Sequence, residues 1–67
     1  MSMVHENIRI EVRDGGTIKQ ISNLVLDDLE YDLVDQDGEV FTAAQGLEAI
    51  RRLKEAEPDK DFIALPA

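Results

Sequence analysis

The octapeptide DQDGEVFT, residues 35–42, sets Asp35 and Asp37 immediately ahead of Gly38. Carboxylates at alternate positions before a glycine are how a helix-loop-helix calcium loop begins. Such a loop has oxygen ligands at its first, third and fifth positions, glycine at the sixth and a glutamate at the twelfth. With Gly38 as sixth, Asp35 and Asp37 fall at the third and fifth positions, but the first is Leu33 and the twelfth is Ala44. Neither can ligate, and the flanks read as strands where the loop needs helices. The expectation is an Asp-Gly turn at the tip of a hairpin, with no metal.

The charge around that turn is the stronger anomaly. Asp27, Asp28, Glu30, Asp32, Asp35, Asp37 and Glu39 place seven acids in thirteen residues, with no lysine or arginine among them. If residues 28–32 form a strand, Asp28, Glu30 and Asp32 point the same way with a repeat of about 6.8 Å, twice the strand rise. Two readings follow. The row is a solvated face that blocks edge aggregation by like-charge repulsion, or it presents carboxylates to a basic groove much as a nucleic-acid backbone presents phosphates. Catalysis by these groups is not expected, because a general acid needs an apolar pocket to raise its pKa and an open strand face has none.

Other residue types that carry chemistry are sparse. His5 is the single histidine and lies in a stretch expected to be mobile, residues 1–6, so it reads as a surface residue. Ser2 and Ser22 have no evident base to activate them. Gly15-Gly16 is too short for a phosphate loop and lacks the lysine that follows one. Arg51, Arg52 and Lys54 read as the solvated side of a helix. The absence of cysteine excludes disulfides, thiolate metal sites and cysteine nucleophiles. Neither an enzyme nor a cofactor is expected.

The elements that must position these residues follow from hydropathy. Ile8, Ile10 and Val12 alternate with Arg9, Glu11 and Arg13, a strand with one apolar face, and then meet Asp14-Gly15-Gly16, a hairpin turn. Residues 17–29 admit two readings: a strand that bends at Asn23, or a short helix capped by Thr17 with Gln20 completing a capping box. The strand reading is preferred, since the first strand needs a partner and a helix of about ten residues is marginal alone. Leu29, Tyr31 and Leu33 alternate with Asp28, Glu30 and Asp32 as a further strand, and Val40 to Thr42 form a short one. Residues 43–57 form an amphipathic helix capped by Thr42, with Ala43, Leu47, Ile50 and Leu53 on its buried side. Gly46 weakens that helix by about 1 kcal/mol relative to alanine, tolerable if it lets the helix lie close to the sheet. Glu48 and Glu55 are spaced to pair with Arg51. Pro58 stops the helix. The final FIAL segment puts Phe62 and Ala64 on one side and Ile63 and Leu65 on the other, so it lies either in the groove between helix and sheet or under a second subunit. Tyr31, Phe41 and Phe62 are the aromatics expected to fill the core.

The fold class expected is α+β: a small antiparallel sheet of about four strands, one helix packed on a face and a short C-terminal strand, all in one domain over residues 1–67. A chain this short buries only about 60% of its unfolded surface, so self-association is a natural supplement. No run reaches the roughly 20 apolar residues of a membrane span, and the first ten residues lack a signal core, so a cytoplasmic protein is the default. A formal charge of −8 argues against direct nucleic-acid or anionic-membrane binding. The function expected is a protein-interaction or regulatory module without catalysis, its partner another protein with a basic groove or a second copy of itself. The candidate contact residues are Asp28, Glu30, Asp32, Asp35, Asp37, Phe62, Ile63 and Leu65. The alternative is an inhibitor that mimics nucleic acid through residues 27–39.

Overall fold

Gly15 and Gly16 both take positive φ, 58° and 96°, between Asp14 and Thr17, which face each other as the last pair of an antiparallel ladder. Positive φ at both central positions is the two-residue turn whose twist matches the strands it joins, and glycine adopts it without a Cβ penalty. The turn links β1 (Asn7–Asp14) to β2 (Thr17–Val25) in a computed structural model that describes residues 6–67. The readings of Ser2, of His5 and of a mobile start concern residues outside that range, apart from Glu6.

Residues 17–25 are strand, as preferred, and the failed alternation has a local cause. Asn23 sits at φ 53°, and the register with the next strand shifts between Ser22 and Val25. A bulge of this kind turns successive side chains off strict alternation, and asparagine is among the few residues that tolerate left-handed backbone. Leu24, Leu26 and Leu29 thereby all pack partly against the core while Val25 is left exposed. A turn over 26–29 closes with the Leu29 amide donating to the Leu26 carbonyl at 3.3 Å. Strand β3 (Glu30–Val34) therefore starts two residues later than the alternation suggests.

Strand β4 (Phe41–Thr42) leads directly into α1 (Ala43–Ala56), and β5 (Asp61–Pro66) closes the fold. The strand order is β3-β2-β1-β4, with β5 also on β1, and every pairing is antiparallel. Ile8 pairs with both Phe41 and Pro66, and Glu11 with both Gln20 and Ile63, so β1 is bonded along both edges. One edge is shared by β2 and β4; β5 runs along the whole of the other.

The Thr42 hydroxyl caps α1, accepting from the Gln45 amide at 3.2 Å, and Arg51 takes both expected partners, Glu48 at 2.7 Å and Glu55 at 3.5 Å. The buried stripe of α1 is Gly46, Ala49, Ile50 and Leu53, while Leu47 is 58% exposed. Leu47 was expected inside; the helix is rotated away from it because its contact line runs through the residue without a side chain. A Cβ on Gly46 would stand 2.6 Å from Ile8 Cγ1 and 3.4 Å from Phe41 Cβ, so the glycine is what lets α1 settle onto β1. Ile10, Val12, Ile21, Phe41, Ala49, Ile50, Leu53 and Phe62 form the core. Each large member contributes about 1.5–3 kcal/mol by burial. The backbone of helix α1 lies close to β1, β4 and β5 but not to β2 or β3, although Ile21 of β2 shares the core with Ala49, Ile50 and Leu53. The helix thus covers half of one face, and that asymmetry creates the site below.

Candidate functional site at the free edge of β3

Backbone bonding in β1 and β2 decides which peptide groups of β3 are left over. The Ala67 amide donates to the Asn7 carbonyl at 3.0 Å, which places the odd-numbered peptide groups of β1 toward β5 and the even-numbered ones toward β2. Alternation then directs Thr17 and Lys19 to β1, and Ile18, Gln20 and Ser22 to β3. Gln20 faces Val34 and Ser22 faces Asp32, so the peptide groups of Asp32 and Val34 are engaged. Those of Tyr31 and Leu33 point outward, and no strand among the described residues pairs there.

The same two residues send their side chains to the helix-bearing face, where α1 does not reach. A shallow groove results. Tyr31 and Leu33 form its floor, Glu30 and Asp32 its rim around the β3 edge, Asn23, Val25 and Leu29 one end, and Glu57 with Lys60, just past α1, its far wall. Val25 and Leu33 are 48% and 45% exposed, an unusual setting for apolar residues on a strand beside the core.

The far wall is an ordered polar cluster. The Tyr31 hydroxyl donates to Glu57 Oε2 at 2.8 Å, and Lys60 Nζ donates to Glu57 Oε1 at 2.7 Å. Burial and then the neighbouring Glu57 carboxylate push the Tyr31 hydroxyl above its ordinary pKa, while the Lys60 and Tyr31 hydrogen bonds hold Glu57 below the usual carboxylate range. Lys60 is raised in turn by its bond to Glu57. With Tyr31 firmly protonated and Glu57 firmly ionised, neither group is poised for proton transfer near neutrality. The cluster is a fixed polar wall with one carboxylate, one ammonium and no excess charge.

The acids identified from sequence do not form one row. Glu30 and Asp32 lie on β3, Asp28 lies in the preceding turn, and several of the others have internal work. Asp32 accepts from Asn23 Nδ2 at 2.9 Å, Glu39 Oε1 accepts from the Leu24 amide at 2.9 Å, and Asp35 is paired with Lys19, which lowers its pKa. Asp27, Asp28, Glu30 and Asp37 have no ion-pair partner among the described residues; Glu30 lines the groove, and Asp27 and Asp28 lie in the turn that leads into β3.

Residues 35–40 are not a hairpin tip, because β3 and β4 do not pair. The segment crosses β2 instead. Asp37 takes φ 59°, Gly38 is buried, the Gly38 amide donates to Gln20 Oε1 at 2.8 Å, and the Glu39 amide donates to the Ile21 carbonyl at 2.8 Å. Arg9 Nε donates to the Gly38 carbonyl at 3.1 Å. A Cβ on Gly38 would lie 2.7 Å from the Ile21 carbonyl oxygen, so this glycine serves a close crossing of backbones. Two short-range signals were present, an Asp-Gly pair and two flanking strands; what decided between turn and crossing was the position of β1, far away in sequence.

Of the remaining candidates, Phe62 is buried under α1, while Ile63 and Leu65 lie half-buried on the opposite face, three strands away from the acids. The groove residues Val25, Tyr31, Glu57 and Lys60 were not identified from sequence as a site. Glu57 and Lys60 meet Tyr31 only through the packing of the helix end. No helix among the described residues is long and apolar enough to cross a membrane. No protein-family model matches the chain, and neither a curated protein nor a solved structure is similar to it.

Proposed function

We propose that this protein is a small interaction module, without catalytic activity, that takes an extended basic segment of another protein along the free edge of β3. One observation carries the reading: Tyr31 and Leu33 supply both the unpaired peptide groups of the edge and the floor of the groove beside it. Strand addition uses that combination, main-chain bonds for affinity and alternate side chains in adjoining pockets for specificity. The acids around the edge select a cationic guest and hasten its arrival, and the one lysine in the groove is already neutralised by Glu57.

The nucleic-acid mimic has less support. It rested on a regular row of three carboxylates, whereas Asp28 stands off the strand and Asp32 is held by Asn23. A mimic depends on the spacing of its charges; strand addition needs only their sign.

A synthetic peptide of alternating lysine and valine, titrated by calorimetry, tests the proposal against Leu33→Pro. Proline at an outward-facing edge position removes a donor that β2 does not use. Binding is expected to the wild type, to weaken steeply with salt, and to fall at least tenfold in Leu33→Pro. Equal binding by the variant would overturn the proposal, as would equal binding of a glutamate-valine peptide.

A further inference from the structure

The second free edge belongs to β5, and its composition is the reverse of β3. Between Asp61 and Pro66 it reads Phe-Ile-Ala-Leu, with no charge, and among the described residues nothing pairs with its outer side. Natural edge strands are ordinarily guarded by a charge, a bulge or a covering loop. Here the devices are confined to the two ends of the strand, Asp61 and Pro66.

The register with β1 assigns the peptide groups of this edge. Ala67 bonds Asn7, so the odd-numbered groups face β1 and those of Phe62, Ala64 and Pro66 face outward. The missing amide of Pro66 is therefore on the free side, where it breaks no bond to β1. From this geometry we infer that the protein forms a two-fold symmetric dimer by antiparallel pairing of β5 with β5 of a second copy, centred on Ala64.

In that register the Ala64 amide of each copy donates to the Ala64 carbonyl of the other, and the Phe62 amide donates to the Pro66 carbonyl of the second copy, which the proline ring leaves available. Ile63 then lies opposite Leu65 of the second copy, twice over, joining two half-buried pairs into one apolar patch. Centring on Ile63 instead would set Asp61 against Leu65 of the second copy and leave Pro66 unpaired. An isologous contact requires this kind of self-complementarity about one point.

Charge decides the occupant. The acidic edge is three strands from β5, so back-to-back pairing at β5 leaves the two β3 edges seven strand spacings apart, about 34 Å along the joined sheet. That is several Debye lengths at physiological salt, so a net charge of −8 per chain opposes this contact little. Pairing at β3 would bring the acids together. The dimer is independent of what binds at β3, and it leaves both β3 edges open.

Because the chain has no cysteine, single-cysteine variants report which positions meet. Opposed residues in a hydrogen-bonded antiparallel pair have Cα atoms about 5.5 Å apart, within disulfide reach. Under mild oxidation Ala64→Cys is expected to give a covalent dimer rapidly, while Ile63→Cys and Leu33→Cys do so at least tenfold more slowly. Light scattering should find the wild type at twice the 7.5 kDa chain mass at high micromolar concentration, and Ala64→Pro at the mass of one chain with an unchanged circular dichroism spectrum. A monomeric wild type overturns the inference, and so does faster cross-linking through position 33. Faster cross-linking through position 63 overturns the stated register. If Ala64→Pro fails to fold, the cysteine variants decide alone.

Discussion

Strands β3 and β5 are the two ends of one sheet, and each exposes a row of unpaired peptide groups. They differ in two respects. β3 carries Glu30 and Asp32 within it and has no helix over its face; β5 carries no charge from Phe62 to Pro66 and lies under α1. In the proposed arrangement, like charges would keep a second copy from β3 while attracting a cationic strand, so the same carboxylates would exclude one partner and admit another. On β5 the one charge, Asp61, stands at the end of the strand and leaves its middle open to a second copy in the proposed dimer. An edge is therefore specified less by its hydrogen-bonding groups, which are the same everywhere, than by the charge beside them.

The largest difference between the two ends of the sheet is expected on removing a side chain that the helix covers and one that it does not. Phe62 is 2% exposed and Leu33 is 45% exposed. Phe62→Ala is expected to cost about 3–4 kcal/mol, most of the stability of a domain this small, whereas Leu33→Ala costs under about 1 kcal/mol. Urea unfolding of the two variants measures both. Comparable losses would mean that the β3 half is as well packed as the β5 half, and the groove would then be no more than a surface irregularity.

A smaller effect tests why the helix sits where it does. Gly46→Ala adds a good helix former, worth about 1 kcal/mol in isolation, yet its methyl would overlap Ile8. The overlap is expected to win, for a net loss of about 1–2 kcal/mol in urea, as α1 lifts from β1 and β5. A stabilised variant would show that the close approach is not what anchors the helix.

Gly46 also marks how far the sequence could be read. The hairpin at Gly15-Gly16, the helix and its Thr42 cap, and the strand after Pro58 were all legible, because each depends on residues within a few positions of one another. Leu47 was misplaced, since a periodic apolar pattern cannot tell that a glycine defines the contact line. The bulge at Asn23 looked like lost alternation. The acids were visible as a cluster, but the groove was not, because Glu57 and Tyr31 are 26 residues apart and meet only where the helix ends short of β3. Local chemistry was readable; what one element leaves uncovered on another was not.

The least of the expected effects concerns the bond that ties the two halves together. The Tyr31 hydroxyl on β3 donates to Glu57 beyond α1, and both pKa values depart from their ordinary ones in opposite directions. Glu57 is depressed, so its contribution is present above the ordinary carboxylate pKa of about 4.3 and is lost as pH falls through its lower folded value. Tyr31 is raised, so its contribution is present below pH ~10 and is lost as pH rises through its higher folded value. Between those limits Tyr31→Phe should cost at most about 1 kcal/mol, since the cluster is partly solvated. The difference between wild type and variant should shrink at both ends of the pH range. Hydrogen exchange locates the effect: amides of β2 and β3 should exchange faster in the variant, and those of β1 paired with β5 should not. Uniform acceleration would show that the sheet opens as one unit, and that its two edges, however different in charge, are not separate in stability.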